Sequence, residues 1–136
     1  MAYFLASKHS ARWFTWLCLI QGIYYLVTGI WPLIDLNSFE MVTGPKHDHW
    51  LVQTVGVLIA VVAVVLLVAA WRRRVSATAA VLAIGSAVAL AGVDIVFVSR
   101  GIIPPIYLGD AVLEVLLLIG WAIALYQPVG FAIQRR

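Results

Sequence analysis

Four stretches of this chain are apolar over about twenty residues each, and that pattern removes most of the folds open to a protein of its length. They run from about Trp13 to Ile34, Trp50 to Trp71, Val75 to Val98 and Ile106 to Tyr126. At a rise of ~1.5 Å per residue, a helix of roughly 20 residues crosses the ~30 Å of bilayer hydrocarbon. Composition agrees: 64% of the 136 residues are hydrophobic, only 11% are charged, and the mean hydropathy is +1.03. A soluble core of this size could not enclose so much apolar surface. The expectation is an all-α integral membrane protein, one domain over residues 1–136 forming an antiparallel bundle of four transmembrane helices.

Lys8, His9 and Arg12 precede the first span, as the basic region of a signal peptide would. The span outruns the roughly 7–15 residue core of such signals and ends in Trp31-Pro32-Leu33-Ile34, with no small-x-small cleavage site. It is read as retained. Lys8, Arg12, Arg72, Arg73, Arg74, Arg135 and Arg136 fall on one side of the predicted topology, and only Lys46 and Arg100 on the other. By the positive-inside rule both termini and the triple-arginine turn are cytoplasmic, and the Asp35 to His49 loop and the Ser99 to Pro105 turn are external. The inner membrane is the expected location. The basic pI of about 9.4 then reflects arginines near anionic lipid headgroups, and membrane lipids, not nucleic acid, are the expected partners. Trp13, Trp31, Trp50 and Trp71 mark span ends, where amphipathic rings sit at headgroup level. Trp16 and Trp121 lie deeper, as bundle packing or pocket wall. The single Cys18 allows neither an internal disulfide nor a CxxC pair.

Three acids stand out against this background: Asp94, Asp110 and Glu114. An ionisable side chain within a membrane helix costs about 2.5–3.5 kcal/mol near its centre and turns to a bundle interior or a watery cavity. On the third span Ala79, Ala83, Ala87 and Ala91 recur every four residues, a small-xxx-small face for close packing, and Asp94 continues that face. On the fourth, Tyr107, Asp110, Glu114, Leu117 and Trp121 follow 3, 4, 3, 4 spacing and form one stripe. Measured from the outer boundary, Asp110 and Asp94 should each lie about 6 Å deep and Glu114 about 12 Å. The first span offers Gln21, Tyr25, Thr28 and Asp35 on one face, and the second His49, Gln53 and Gly56. Together these predict a pocket open to the outside, lined by Gln21, Tyr25, His49, Gln53, Asp94, Tyr107, Asp110, Glu114 and Trp121, over an aliphatic inner half. A simpler reading competes, in which Asp94 or Asp110 pairs with Arg100 as a structural clasp.

His47, Asp48 and His49 carry ligand types for a divalent metal, with Asp35 or Glu40 as further donors, but they fall short of a closed set and no metal site is assigned. Asp48 doubles as a helix cap. His49 is also an acid or base for the pocket mouth. No GxSxG, HExxH, Walker or dinucleotide motif is present, and no cofactor is expected. Gly22 and Gly29 read as packing notches.

With these residues laid out, the chain resembles the small bacterial four-helix membrane proteins described as DoxX-like, over nearly its whole length. The likeness lies in the span layout, Trp31-Pro32, Trp50-Leu51-Val52-Gln53-Thr54-Val55-Gly56, Asp94, and Tyr107-Leu108-Gly109-Asp110 through Glu114. It implies the same bundle and carries over no catalytic residues. A more distant architectural likeness is to the emopamil-binding sterol-isomerase family, compact bundles with acids around a lipid-sized cavity, none of whose local motifs occurs here.

Three functions fit. In the first the pocket binds a small amphipathic or cationic ligand, or the protein serves as a membrane accessory subunit, either as a homodimer or on a membrane-protein partner. In the second it is a lipid or isoprenoid isomerase with Glu114, Asp110 and Asp94 as its catalytic acids, in which Glu114 or Asp110 donates a proton, its neighbour stabilises the cation formed, and Tyr25, Tyr107 and Trp121 wall it in. The third is a proton-coupled exporter of small molecules.

Overall fold

The computed structural model describes residues 8–126; Arg135 and Arg136 lie outside the described residues, as do the side chains of Lys8 and His9. Among these residues the chain is helical throughout, with α1 (Lys8–Ile34), α2 (Leu36–Thr43), α3 (His49–Trp71), α4 (Ala77–Ser99) and α5 (Tyr107–Tyr126). Four segments, Ala11–Ile34, His49–Trp71, Ala77–Ser99 and Tyr107–Tyr126, are long and apolar enough to cross a membrane. Their limits fall within about two residues of the sequence reading because hydropathy and local caps coincide. Ser76 Oγ accepts the Ala79 N–H at 3.1 Å, which starts α4 after Val75 rather than at it.

The sequence reading treats 35–49 as one loop; half of it is helix. Asp35 Oδ1 accepts the Ser38 N–H at 3.1 Å, capping α2, while Gly44, at φ +85°, ends it by donating its N–H to Glu40 O at 2.8 Å. Trp31 Nε1 donates to Ser38 Oγ at 2.8 Å, and the Trp31 ring meets Phe39 edge-on with centroids 5.6 Å apart. These contacts fold α2 back over the end of α1. The Ser38 bonds hold the Asp35 carboxyl below the ordinary aspartate range. Because the folded value is the depressed one, the cap's contribution is present above the ordinary aspartate pKa and is lost as pH falls through the lower folded value. Amide protection at Ser38 should therefore drop over that acid window in wild type. In Asp35→Asn, which keeps an acceptor and loses the titration, it should stay flat; an unchanged wild-type profile would show that the Asp35 carboxylate does not cap α2.

Packing divides the bundle in two. α1 lies closely along α3, and α4 along α5; α1 also touches α5, whereas α3 and α4 meet sparsely. Glycine sets the first pair. A Cβ at Gly29 would lie 2.7 Å from Gly56 O and 2.9 Å from Ala60 N, so the two backbones touch there. At Gly22 the notch is filled by the Leu67 side chain, 2.9 Å from where a Cβ would stand. On α4 the alanine face is turned inward as its period predicts: Ala79, Ala83, Ala87 and Ala91 are all buried, and Asp94 extends the row. Gly85 and Gly92 lie on the opposite, open side, with nothing within 4 Å of an added Cβ. Toward the triple-arginine end the core is apolar, built from residues such as Leu17, Cys18, Ala63, Leu66 and Ala124.

Candidate functional site

α1 carries Gln21 and Tyr25 on consecutive turns of its buried face, and these two residues tie it to α4 and α5. Gln21 Nε2 donates to the backbone oxygen of Ala83 at 2.8 Å, and Gln21 Oε1 accepts from Trp121 Nε1 at 2.8 Å. The bond to Ala83 is open because the alanine face of α4 leaves its backbone within reach and a carbonyl has two lone pairs. Sequence reasoning had no means of finding a backbone acceptor. Tyr25 Oη donates to Glu114 Oε2 at 2.9 Å.

Glu114 has 0% exposure and Asp94 5%. Each leaves one buried oxygen, Glu114 Oε1 and Asp94 Oδ2, without a hydrogen-bond partner among the described residues. Asp110 is half-buried one turn earlier on α5, and both Asp94 and Asp110 stand close enough for their charges to bear on Glu114. The clasp reading is not what the chain adopts. Arg100 is exposed at the C-cap of α4, and Glu40 Oε1 instead meets His49 Nε2 at 2.9 Å.

Five of the nine residues expected to line a pocket are thus buried in this region: Gln21, Tyr25, Asp94, Glu114 and Trp121. Asp110 stands beside them, half-buried. His49 does not join them; its side chain is 54% exposed and held by Glu40. Gln53 is exposed as well, because α3 turns Gly56 toward α1 and carries Gln53 outward. Asp48 occupies the N-cap position of α3 but makes no side-chain cap bond. Trp16 faces outward, which answers the choice left open for it, while Trp121 is interior.

Lys46 was missed. Its Nζ donates to Thr43 O at 2.8 Å and Gly44 O at 2.9 Å, and sits 5.3 Å from the centroid of the Tyr107 ring. Its backbone N–H donates to Glu40 Oε1 at 2.9 Å, and Gly44 abuts Pro104 closely enough that a Cβ there would lie 3.0 Å from Pro104 Cγ. The α2–α3 loop therefore lies across the α4–α5 turn and over Tyr107. Being the one cation between Gly44-Pro45 and the histidines, Lys46 was the available sequence signal.

A cleft of about 190 Å³ lies between α3 and α4, where packing is sparse. Val55, Leu58, Ile59 and Val62 form one wall, Ser86, Ala89 and Leu90 the other, and Tyr25 the floor. Its surface is nearly all apolar, and Tyr25 is the residue that it shares with the acids.

Chemically, the buried acids are incomplete. A carboxylate oxygen taken out of water without a partner costs several kcal/mol, and the arrangement is completed by a proton, by a buried water or by a cation that donates to it. No family model, curated protein or solved structure matches the chain, so the DoxX-like resemblance rests on the residues quoted for it.

Proposed function

We propose that this is a multi-pass inner-membrane protein whose acidic site binds a small amphipathic cation, with Glu114 and Asp94 as the anionic groups, Asp110 as their outer neighbour, and Gln21, Tyr25 and Trp121 as the frame. The observation that carries this reading is the pair of buried carboxylate oxygens left without partners. An antiparallel course with both termini cytoplasmic belongs to the same proposal. It is supported by the excess of arginine and lysine on one side of the predicted topology. It is also supported by the order of contacts: Gln21 meets Trp121 whereas Tyr25 meets Glu114, and Gly22 meets Leu67 whereas Gly29 meets Gly56.

Purification in mild detergent followed by mass spectrometry of retained small molecules and lipids tests it, wild type against Glu114→Gln. Loss of one member of a buried charge pair costs about 2 kcal/mol or more, a roughly 30-fold weakening, so the retained amine should vanish in the variant. Identical retained species in both proteins would end the proposal. One observation favours a second reading as a lipid or isoprenoid isomerase: the Tyr25 to Glu114 hydrogen bond joins a proton donor to an acceptor inside the bundle. Under that reading Glu114→Gln abolishes turnover while the lipid still binds.

A further inference from the structure

A cleft on the side of the bundle shares Tyr25 with the acid site. The cleft between α3 and α4 is centred on the middles of both helices: Ile59 and Val62 bracket the midpoint of His49–Trp71, and Ser86 to Leu90 that of Ala77–Ser99. At that depth the surroundings are acyl chains. The rim is open, with Leu58 61% exposed and Val55 and Ala89 also exposed. Walls of this kind attract a hydrocarbon chain and offer nothing to a bare ion. The floor is Tyr25, whose hydroxyl is bonded to Glu114, and Glu114 Oε1 and Asp94 Oδ2 are both buried without a partner among the described residues. At the α2 end, by contrast, a cation meets the Lys46 ammonium over Tyr107.

From this juxtaposition we infer that the ligand is a single-chain primary amine that enters sideways from the bilayer. Its chain lies in the α3/α4 cleft and its ammonium, passing Tyr25, donates to Glu114 and Asp94. The inference rests on the acid-site reading and adds the route and the ligand class. Size restricts the class. A cleft of about 190 Å³ is below the ~300–1,000 Å³ of sites for drug-sized molecules, so its walls match one narrow chain better than a sterol ring system or a two-chain phospholipid. Charge and donor count restrict it further. A primary ammonium brings three N–H donors for acceptors that have none, whereas a quaternary ammonium brings no donor and an alcohol brings one without the charge. For the ammonium to arrive, the Tyr25 hydroxyl must swing off Glu114, which makes Tyr25 the gate between cleft and acids.

The test uses the full chain in nanodiscs of zwitterionic lipid and decylamine carrying a terminal diazirine, with photolabelled residues mapped by mass spectrometry. Ala89→Trp and Leu58→Trp fill the cleft from opposite walls at exposed positions, where folding tolerates them. The expected result is labelling on the cleft walls that decylamine competes and decanol does not. Each tryptophan variant should lower it about tenfold, the equivalent of roughly two methylenes denied burial, and Glu114→Gln by at least as much. Labelling that survives both tryptophan variants and is lost in Glu114→Gln overturns sideways entry and leaves the acid site standing. Labelling lost in the tryptophan variants but kept in Glu114→Gln, or competed equally by decanol, shows a cleft filled by any lipid chain and overturns the amine assignment. Labelling unaffected by all three variants overturns the route and the acid site together.

Discussion

Gly56→Ala is expected to destabilise the protein by about 3 kcal/mol, toward the upper end of what overpacking costs. A methyl there would sit 2.5 Å from the Gly29 carbonyl oxygen and 3.2 Å from Pro32 Cγ. The obstacle is main chain, which cannot turn aside as a side chain does, so α1 and α3 must separate along the seam that Gly22, Gly29 and Gly56 create. Gly22→Ala should cost less, since the group in the way is the Leu67 side chain. Gly85→Ala and Gly92→Ala provide the control. Their added methyls meet nothing within 4 Å, so they should be neutral or stabilising by up to about 1 kcal/mol through helix propensity. Reversible unfolding in mixed detergent micelles would read all four. Equal effects at Gly56 and Gly85 would refute the backbone contact.

Gln21→Leu is expected to cost about 2 kcal/mol, although the volume is nearly conserved. It leaves the buried Trp121 N–H without its acceptor, and an orphaned buried donor carries a penalty of about 1–3 kcal/mol. The Ala83 oxygen, the other partner, still has its place in the α4 ladder and contributes little to the loss. A double-mutant cycle separates the terms. Adding Trp121→Phe removes the orphan, so the pair of substitutions should cost clearly less than the sum of the single ones, by about 1 kcal/mol. Gln21→Glu should be worse than Gln21→Leu, because it keeps an acceptor for Trp121 but aims a carboxylate at the Ala83 carbonyl. Strict additivity in the cycle would place these bonds outside the forces joining α1 to α5.

Which residues would be buried was legible where the sequence offers contrast. Asp94 could be assigned to the protein side because four alanines at a period of four define a face and it continues that face; α4 buries all five. Gln21, Tyr25 and Glu114 followed from the same kind of phase. On α3 every residue from Val57 to Ala70 is aliphatic, so hydropathy gives no face there. His49 and Gln53 were assigned inward by their spacing to Gly56, yet the close approach to α1 orients the helix on Gly56 alone and leaves Gln53 outside. The short α2 escaped for a different reason. Eight residues carry too little periodicity to be seen, and its decisive signal was the cap, Asp35 three residues ahead of Ser38, which was instead counted with the polar face of α1. The cleft was not legible at all, being an absence of contact between α3, whose aliphatic run shows no face, and α4, whose small residues read as a packing face.

The split of the bundle into α1 with α3 and α4 with α5 has a bearing on how the protein is made. Each tight pair consists of spans that follow one another in the chain, so the first pair can close before the second has been made. Links between the pairs, such as Gln21 to Ala83 and Trp121, and Tyr25 to Glu114, join residues 62 to 100 apart and must wait until the second pair has been made. The acid-bearing pair is thus the second to be made, and the glutamine and tyrosine of the first precede Asp94 and Glu114 in synthesis. Synthesis order spares the acids a prolonged stay in bare lipid, since the face that shelters them is built first.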